Sequence, residues 1–212
     1  MAGPIFQGVP RFRFIEPCQP LLRDYPPTGA EWSHEVKFDG SRVQLQKRGG
    51  IAVIFSRNGF DFTNRFPTIA RAIAELPAKS VVIDGDLVAS NANGMSEFRT
   101  LHGRRAATSS LCVWAFDILE LNEIDLRHLP LAKRRIRLGR LLKRSVGPIR
   151  RSETFEDAER LLIACDEHGL EGIVSKRADA PYVSGKTQTW IKVNCQTWRE
   201  AGRERHNVFE RQ

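Results

Sequence analysis

Residues 43–57, VQLQKRGGIAVIFSR, constrain the fold of this chain most strongly. Two strand-like runs flank Gly49-Gly50, a pattern that predicts a β-hairpin and therefore antiparallel pairing. Upstream, WSHEVKF alternates in the same way. Downstream, SVVIDGDLVAS reads as a strand interrupted at Asp84-Gly85, and the apolar run SLCVWAFDILEL reads as a buried strand. GIVSKR and TWIKVN read as shorter strands. Helical spacing marks residues 66–76, ending at Pro77, then residues 131–142, then residues 154–167, closed by Gly169. A short helix is expected after the polar stretch 91–94, reaching Leu101, and a surface helix from Thr197. Strands and helices mix without βαβ alternation. The expected class is α+β, with mainly antiparallel sheets packed with helices.

In a chain of 212 residues this predicts a proline-rich, extended lead-in over 1–30, one domain over 31–196 and a charged tail over 197–212. Hydrophobic content of 41% is enough for a core and argues against disorder. Lys and Arg number 33 against 25 Asp and Glu, a formal charge of +8, which favours polyanion partners such as nucleic acid. General surface solvation is the other reading of that charge. The helix at 131–142 presents Lys133, Arg134, Arg135, Arg137 and Arg140 as a basic face, either solvated or turned to nucleic acid. Cys18, Cys112, Cys165 and Cys195 show no metal spacing and read as thiols in a reducing compartment. The five histidines show no ligand spacing either and read as structural. No apolar run approaches the roughly 20 residues that cross a bilayer, and the first residues lack an apolar signal core. The expectation is a cytoplasmic protein without a membrane partner.

The string EVKFDGSR places Lys37 ahead of Asp39, Gly40 and Arg42. A free lysine, with a pKa of about 10.4, must give up a proton at a cost of roughly 4–5 kcal/mol before it can attack at pH 7. A pocket that adds neighbouring cations and removes water lowers that pKa to about 7–8. Taken alone, K-x-D-G also reads as a strand end entering an Asp-Gly turn. Residues further along the chain decide between the two readings.

Five such segments lie downstream: SRNG at 56–59, DGDLV at 84–88, FDIL at 116–119, EGIVSK at 171–176 and WIKVN at 190–194. No phosphate-binding G-x-x-x-x-G-K-[ST] loop and no G-x-G-x-x-G is present. With KFDGSR, these segments in this order resemble the motifs of the ATP-dependent DNA ligases, of the lysine nucleotidyltransferase superfamily. The resemblance runs from about Pro17 to Asn194.

That resemblance implies the adenylation-domain fold, with ATP and Mg²⁺ as cofactors. It implies that Lys37 attacks the α-phosphorus of ATP and holds AMP as a phosphoramide. Glu35 would read the adenine amino group. Arg42 and Arg57 match arginines on ribose and phosphate, and Asp86 matches the acid on the ribose hydroxyls. Phe116 matches the ring stacked on adenine, an interaction of roughly 1–3 kcal/mol. Glu171 matches a carboxylate that helps hold the metal. Lys176 and Lys192 match lysines around the α-phosphate.

Each of these residues also has a plainer reading: Phe116 as core, Glu171 as a surface pair, Lys176 and Lys192 as strand-edge cations. Two positions depart from the family. Asp86 stands where the family usually has Glu, and Asn194 where it usually has a second lysine, a loss that Lys186 would partly offset. The family also continues into an OB-fold, for which the roughly twenty residues after Asn194 leave no room. The expected function is AMP transfer to a 5′-phosphate at a nick in double-stranded DNA, with a protein partner supplying an OB-fold. The alternatives are a non-catalytic or partner-dependent nucleic-acid-binding module, and an RNA ligase or capping-type nucleotidyltransferase.

Overall fold

A computed structural model describes residues 11–90, 110–143 and 147–200. Among the described residues ten strands form two sheets. The larger is built on the hairpin of β3 (Ser41–Arg48) and β4 (Ile51–Ser56), which turns at Gly49-Gly50 as the sequence predicts. Its order is β4-β3-β5-β6-β7, with β5 at Ser80–Ser90, β6 at Ser110–Leu121 and β7 at Ile124–Asp125. Strand β8 (Ile149–Arg151) joins β6 in parallel. The interruption expected at Asp84-Gly85 is a register shift against β6, and β5 continues through it.

The smaller sheet has the order β1-β10-β9-β2. Strands β2 (Trp32–Lys37) and β10 (Gly185–Asn194) both run antiparallel to β9 (Gly172–Arg177). Strand β1 (Cys18–Leu22) pairs in parallel with β10, so part of the expected lead-in is an edge strand.

Helices among the described residues cover the sheets. Helix α1 (Pro67–Ala74) begins with proline at its first position, where the missing N–H has no intrahelical partner to lose. Helix α2 is Leu131–Leu142, with the expected bounds. Helix α3 is Ala158–Glu167 and starts four residues later than its spacing suggests. Asp157 caps it by accepting from the Arg160 backbone N–H, while Phe155 just upstream bridges to His34 of β2. Residues 196–200 are helical, as expected at the start of the tail. The helix expected to reach Leu101 lies outside the described residues.

Apolar faces explain the layering. Val43, Leu45, Val81, Ile83, Val113, Ala115 and Ile118 of the larger sheet bury against Ile69 and Ile73 of α1 and Leu138 of α2. Ile173, Ile191 and Val193 of the smaller sheet pack against Leu161 and Cys165 of α3. A third cluster, with Cys18, Val82, Phe116, Leu119, Tyr182 and Trp190, joins the two sheets. All four cysteines are free and buried. Among the described residues no helix is long and apolar enough to cross a membrane.

The basic face expected on α2 is corrected by burial. Arg134 is 0% exposed and Arg135 8%, leaving Lys133, Arg137 and Arg140 less buried. Both inward arginines have acids waiting for them. Arg134 makes a two-pronged ion pair with Asp117 at 2.8 Å on each prong, and Arg135 reaches Glu35.

Candidate active site

The segment KFDG is where the chain passes from one sheet to the other, from β2 into β3. Gly40 must be glycine there, because a Cβ would stand 2.7 Å from the Leu87 backbone carbonyl of β5. This close approach holds the end of β2 against the larger sheet. A cleft of about 710 Å³ opens between the sheets, lined by Glu35, Lys37, Arg42, Arg57, Asp86, Phe116, Val174, Lys176, Lys186, Trp190 and Lys192, among others. Nine of the ten residues singled out from the sequence therefore line one cleft, drawn from strands far apart in the chain. The tenth, Glu171, forms an ion pair with Lys37.

Strand register accounts for much of this convergence. Lys37 pairs with Gly172, Glu35 with Val174 and Ser33 with Lys176. On the other side of β9, Asn194 pairs with Gly172, Lys192 with Val174 and Trp190 with Lys176. Because side chains alternate along a strand, these positions share one face. Gly172 leaves a gap in the first row between Lys37 and Asn194. A Cβ there would fall 2.1 Å from the Val193 carbonyl, on a backbone with φ of 152°.

The charged groups separate into open and sealed sets. Arg57 and Lys186 are exposed and Lys192 is half-buried. Arg42 is engaged within the protein: its Nε and Nη2 donate to Asp84 at 2.9 and 2.6 Å, and its Nη1 to the Cys18 carbonyl. Asp84 also accepts from the Tyr182 hydroxyl at 2.7 Å. Burial raises the Tyr182 pKa, so that hydroxyl stays protonated and donates. Asp86, on the same face, has its pKa raised to about 6, chiefly by desolvation and against the pull of Arg42.

Lys176, which the resemblance puts at the α-phosphate, lies against the Glu35 carboxylate, 2.8 Å from Oε1. Its Nζ also sits 4.0 Å from the centre of the Phe116 ring and 4.3 Å from that of Trp190. Burial lowers its pKa while Glu35 opposes the shift. Phe116 is both core and cleft wall, edge-on to Trp190 at 5.8 Å. His34 is buried, with Nδ1 2.8 Å from the Ser175 hydroxyl, a structural contact as expected.

Sequence reasoning missed Arg135 as a site residue. Its Nη1 donates to Glu35 Oε1 and to the Phe116 carbonyl, both at 2.8 Å. Its Nη2 donates to the Ser152 carbonyl at 2.5 Å. The signal was available, since Arg134 and Arg135 fall at the i+3 and i+4 positions of the apolar stripe formed by Leu131, Leu138 and Leu142. Charge at inward positions of a helix marks buried pairing.

Comparison with known proteins adds an independent line. Residues 21–194 match the family described as ATP dependent DNA ligase domain. The multifunctional non-homologous end joining protein LigD of Pseudomonas aeruginosa is 34% identical over 195 residues, which is 90% of this chain and 23% of that protein. A probable DNA ligase of Sorangium cellulosum is 32% identical over 211 residues, 88% of this chain and 39% of that protein. The chain thus spans well under half of these relatives. Among solved structures, the ligase domain of M. tuberculosis LigD aligns with a TM-score of 0.72 and 28% identity, covering 84% of this chain and 60% of that one. A mycobacterial DNA ligase D complexed with ATP and MES aligns with a TM-score of 0.72 and 26% identity, covering 86% and 62%.

Proposed function

The chain belongs to the ATP-dependent DNA ligase domain family, and on that premise we propose that its Lys37 takes AMP from ATP and passes it to a 5′-phosphate at a nick in duplex DNA. The observation that carries this reading is the gathering of Lys37, Arg57, Lys186 and Lys192 around one cleft with Phe116 and Glu35. In the first step Lys37 Nζ, having shed a proton, bonds to the α-phosphorus while the bond to pyrophosphate breaks. Arg57, Lys186 and Lys192 are the cleft cations not bound up in buried ion pairs, and they stabilise charge on the transferring phosphate and the leaving group. Phe116 and Val174 form apolar walls for the base. In the second step the phosphoramide bond breaks as a DNA 5′-phosphate oxygen takes the AMP, and in the third a 3′-hydroxyl displaces it.

Magnesium fits the donor set in a limited way. The described residues hold no group of three or more acids, histidines or cysteines, so they offer no all-protein cage. They do offer Glu171 beside Lys37 and Asp86 in the cleft, and Mg²⁺ is commonly held by one or two carboxylates together with substrate phosphates. Glu171 is the residue that would hold it, and the ion would neutralise phosphate charge.

The test is transfer of label from [α-³²P]ATP to the protein. Wild type becomes covalently labelled, and Lys37→Ala does not. No label on wild type, or equal label on the variant, refutes the reading. Sealing of nicked DNA and nicked RNA duplexes, with and without an added OB-fold protein, then defines the substrate and the need for a partner. Preferential labelling by GTP would indicate capping chemistry. Salt-sensitive binding of nicked DNA without any labelling would indicate a binding module.

A further inference from the structure

We propose that Arg135 is a positioning residue that sets purine selectivity in the cleft by fixing the Glu35 carboxylate, an inference that rests on the nucleotidyltransferase reading. Three acceptors from three parts of the fold converge on its guanidinium. They are Glu35 Oε1 on β2, the Phe116 carbonyl on β6 and the Ser152 carbonyl just after β8. A planar fork serves all three at once, which a lysine ammonium on a flexible stem does not.

The Phe116 carbonyl belongs to the residue whose ring walls the cleft, so one side chain ties the base-reading carboxylate to the base-stacking ring. It does so across the gap between the two sheets. Lys176 Nζ lies on the same Glu35 oxygen, at 2.8 Å. Arg135 and Lys176 therefore both hold Oε1, and in this scheme Oε2 is the oxygen turned to the base. Glu35 lines the cleft with Phe116 and Val174 and is itself 2% exposed. A carboxylate oxygen presented there accepts from the 6-amino group of adenine and repels the 6-carbonyl of guanine. Burial strengthens both effects by removing competing water. Arg135 itself never reaches the nucleotide in this scheme. It acts by denying Glu35 other orientations.

A purely architectural role, a rivet between the two sheets, predicts a different result, because it would weaken handling of every nucleotide alike. The experiment compares initial rates of protein labelling of the full chain by ATP, by purine riboside triphosphate (which lacks the 6-amino group) and by GTP. The variants are Arg135→Met, Arg135→Lys and Glu35→Gln, each checked for a cooperative melt. In Arg135→Met the preference for ATP over the purine analogue falls on the order of tenfold, the size of one charge-assisted hydrogen bond. The rate with the analogue, which has no 6-amino group for Glu35 to read, falls by a smaller factor than the rate with ATP. Arg135→Lys lies between, and it alone carries the measurement if Arg135→Met fails to fold. On the Glu35→Gln background, adding Arg135→Met lowers the preference no further.

Equal losses with ATP and the analogue, or an unchanged preference, overturn the proposal while leaving the nucleotidyltransferase reading intact. Wild type that takes label from none of the three nucleotides overturns both.

Discussion

The pairing of Arg134 with Asp117 invites a quantitative test. Both side chains are 0% exposed, and two hydrogen bonds of 2.8 Å join them. Asp117→Asn keeps the shape but removes the charge, and it turns an amide donor towards one guanidinium N–H. Arg134 then remains as a buried cation without a counter-charge, its acceptors reduced to the one amide oxygen and the carbonyls of Leu129 and Ala180. Breaking one side of a buried ion pair costs about 3–5 kcal/mol, and the carbonyl contacts place the expected loss near about 3 kcal/mol. For a chain of this size that lowers the melting temperature by about 6–12 °C, at about 2–4 °C per kcal/mol. Replacing both partners by apolar residues, Asp117→Leu with Arg134→Met, removes the desolvation cost along with the attraction and is expected to be near neutral. Urea denaturation of wild type, Asp117→Leu, Arg134→Met and the double gives the coupling directly, with Asp117→Asn measured beside them. An Asp117→Asn loss below about 1 kcal/mol, or a double variant as unstable as that single, would refute the argument that an unpaired buried charge is what makes the single costly.

Two further outcomes are expected from the cleft. The Asp86 pKa is raised to about 6, so the folded protein takes up a proton at this site before the unfolded chain does. Wild type therefore gains stability from this group as pH falls through 6 towards the unfolded value near 3.9, and above pH 6 it carries the cost of a desolvated carboxylate. Asp86→Asn should stabilise the protein at pH 7.5 by up to about 3 kcal/mol and by little at pH 4.5, read from urea midpoints at the two pH values. Gly172→Ala forces a Cβ to 2.1 Å from the Val193 carbonyl, so β9 and β10 must separate. Labelling at Lys37 should be lost together with protection of the β9–β10 amides from hydrogen exchange, and retention of both would show that the strands adjust without cost.

The sequence made the local periods readable and much of the long-range pairing unreadable. The bounds of α2, the hairpin at Gly49-Gly50 and the apolar run of β6 could be read because neighbouring residues carry their cause. The start of α3 could not, since Phe155 is claimed by a backbone bridge to His34 more than a hundred residues earlier. The same limit explains α2. Its spacing gives a helix, but only the arrival of Asp117 and Glu35 shows why two arginines point inward. At the site, motif order collected residues that line one cleft, because that cleft is built from strand ends that carry those motifs. Ion pairing was harder to read: Lys176 is drawn onto Glu35, and Arg42 onto Asp84, by acids that no spacing rule connects to them.

The parallel contact between β1 and β10 has a consequence for how the protein comes off the ribosome. The Cys18 backbone N–H waits for a tyrosine hydroxyl 164 positions further along the chain. The larger sheet needs nothing beyond Arg151 and can form while the remainder is still being made, whereas the smaller sheet closes only once its last strand has emerged. The scaffold can thus form early in synthesis, while the cleft between the sheets takes shape only after Asn194 has emerged.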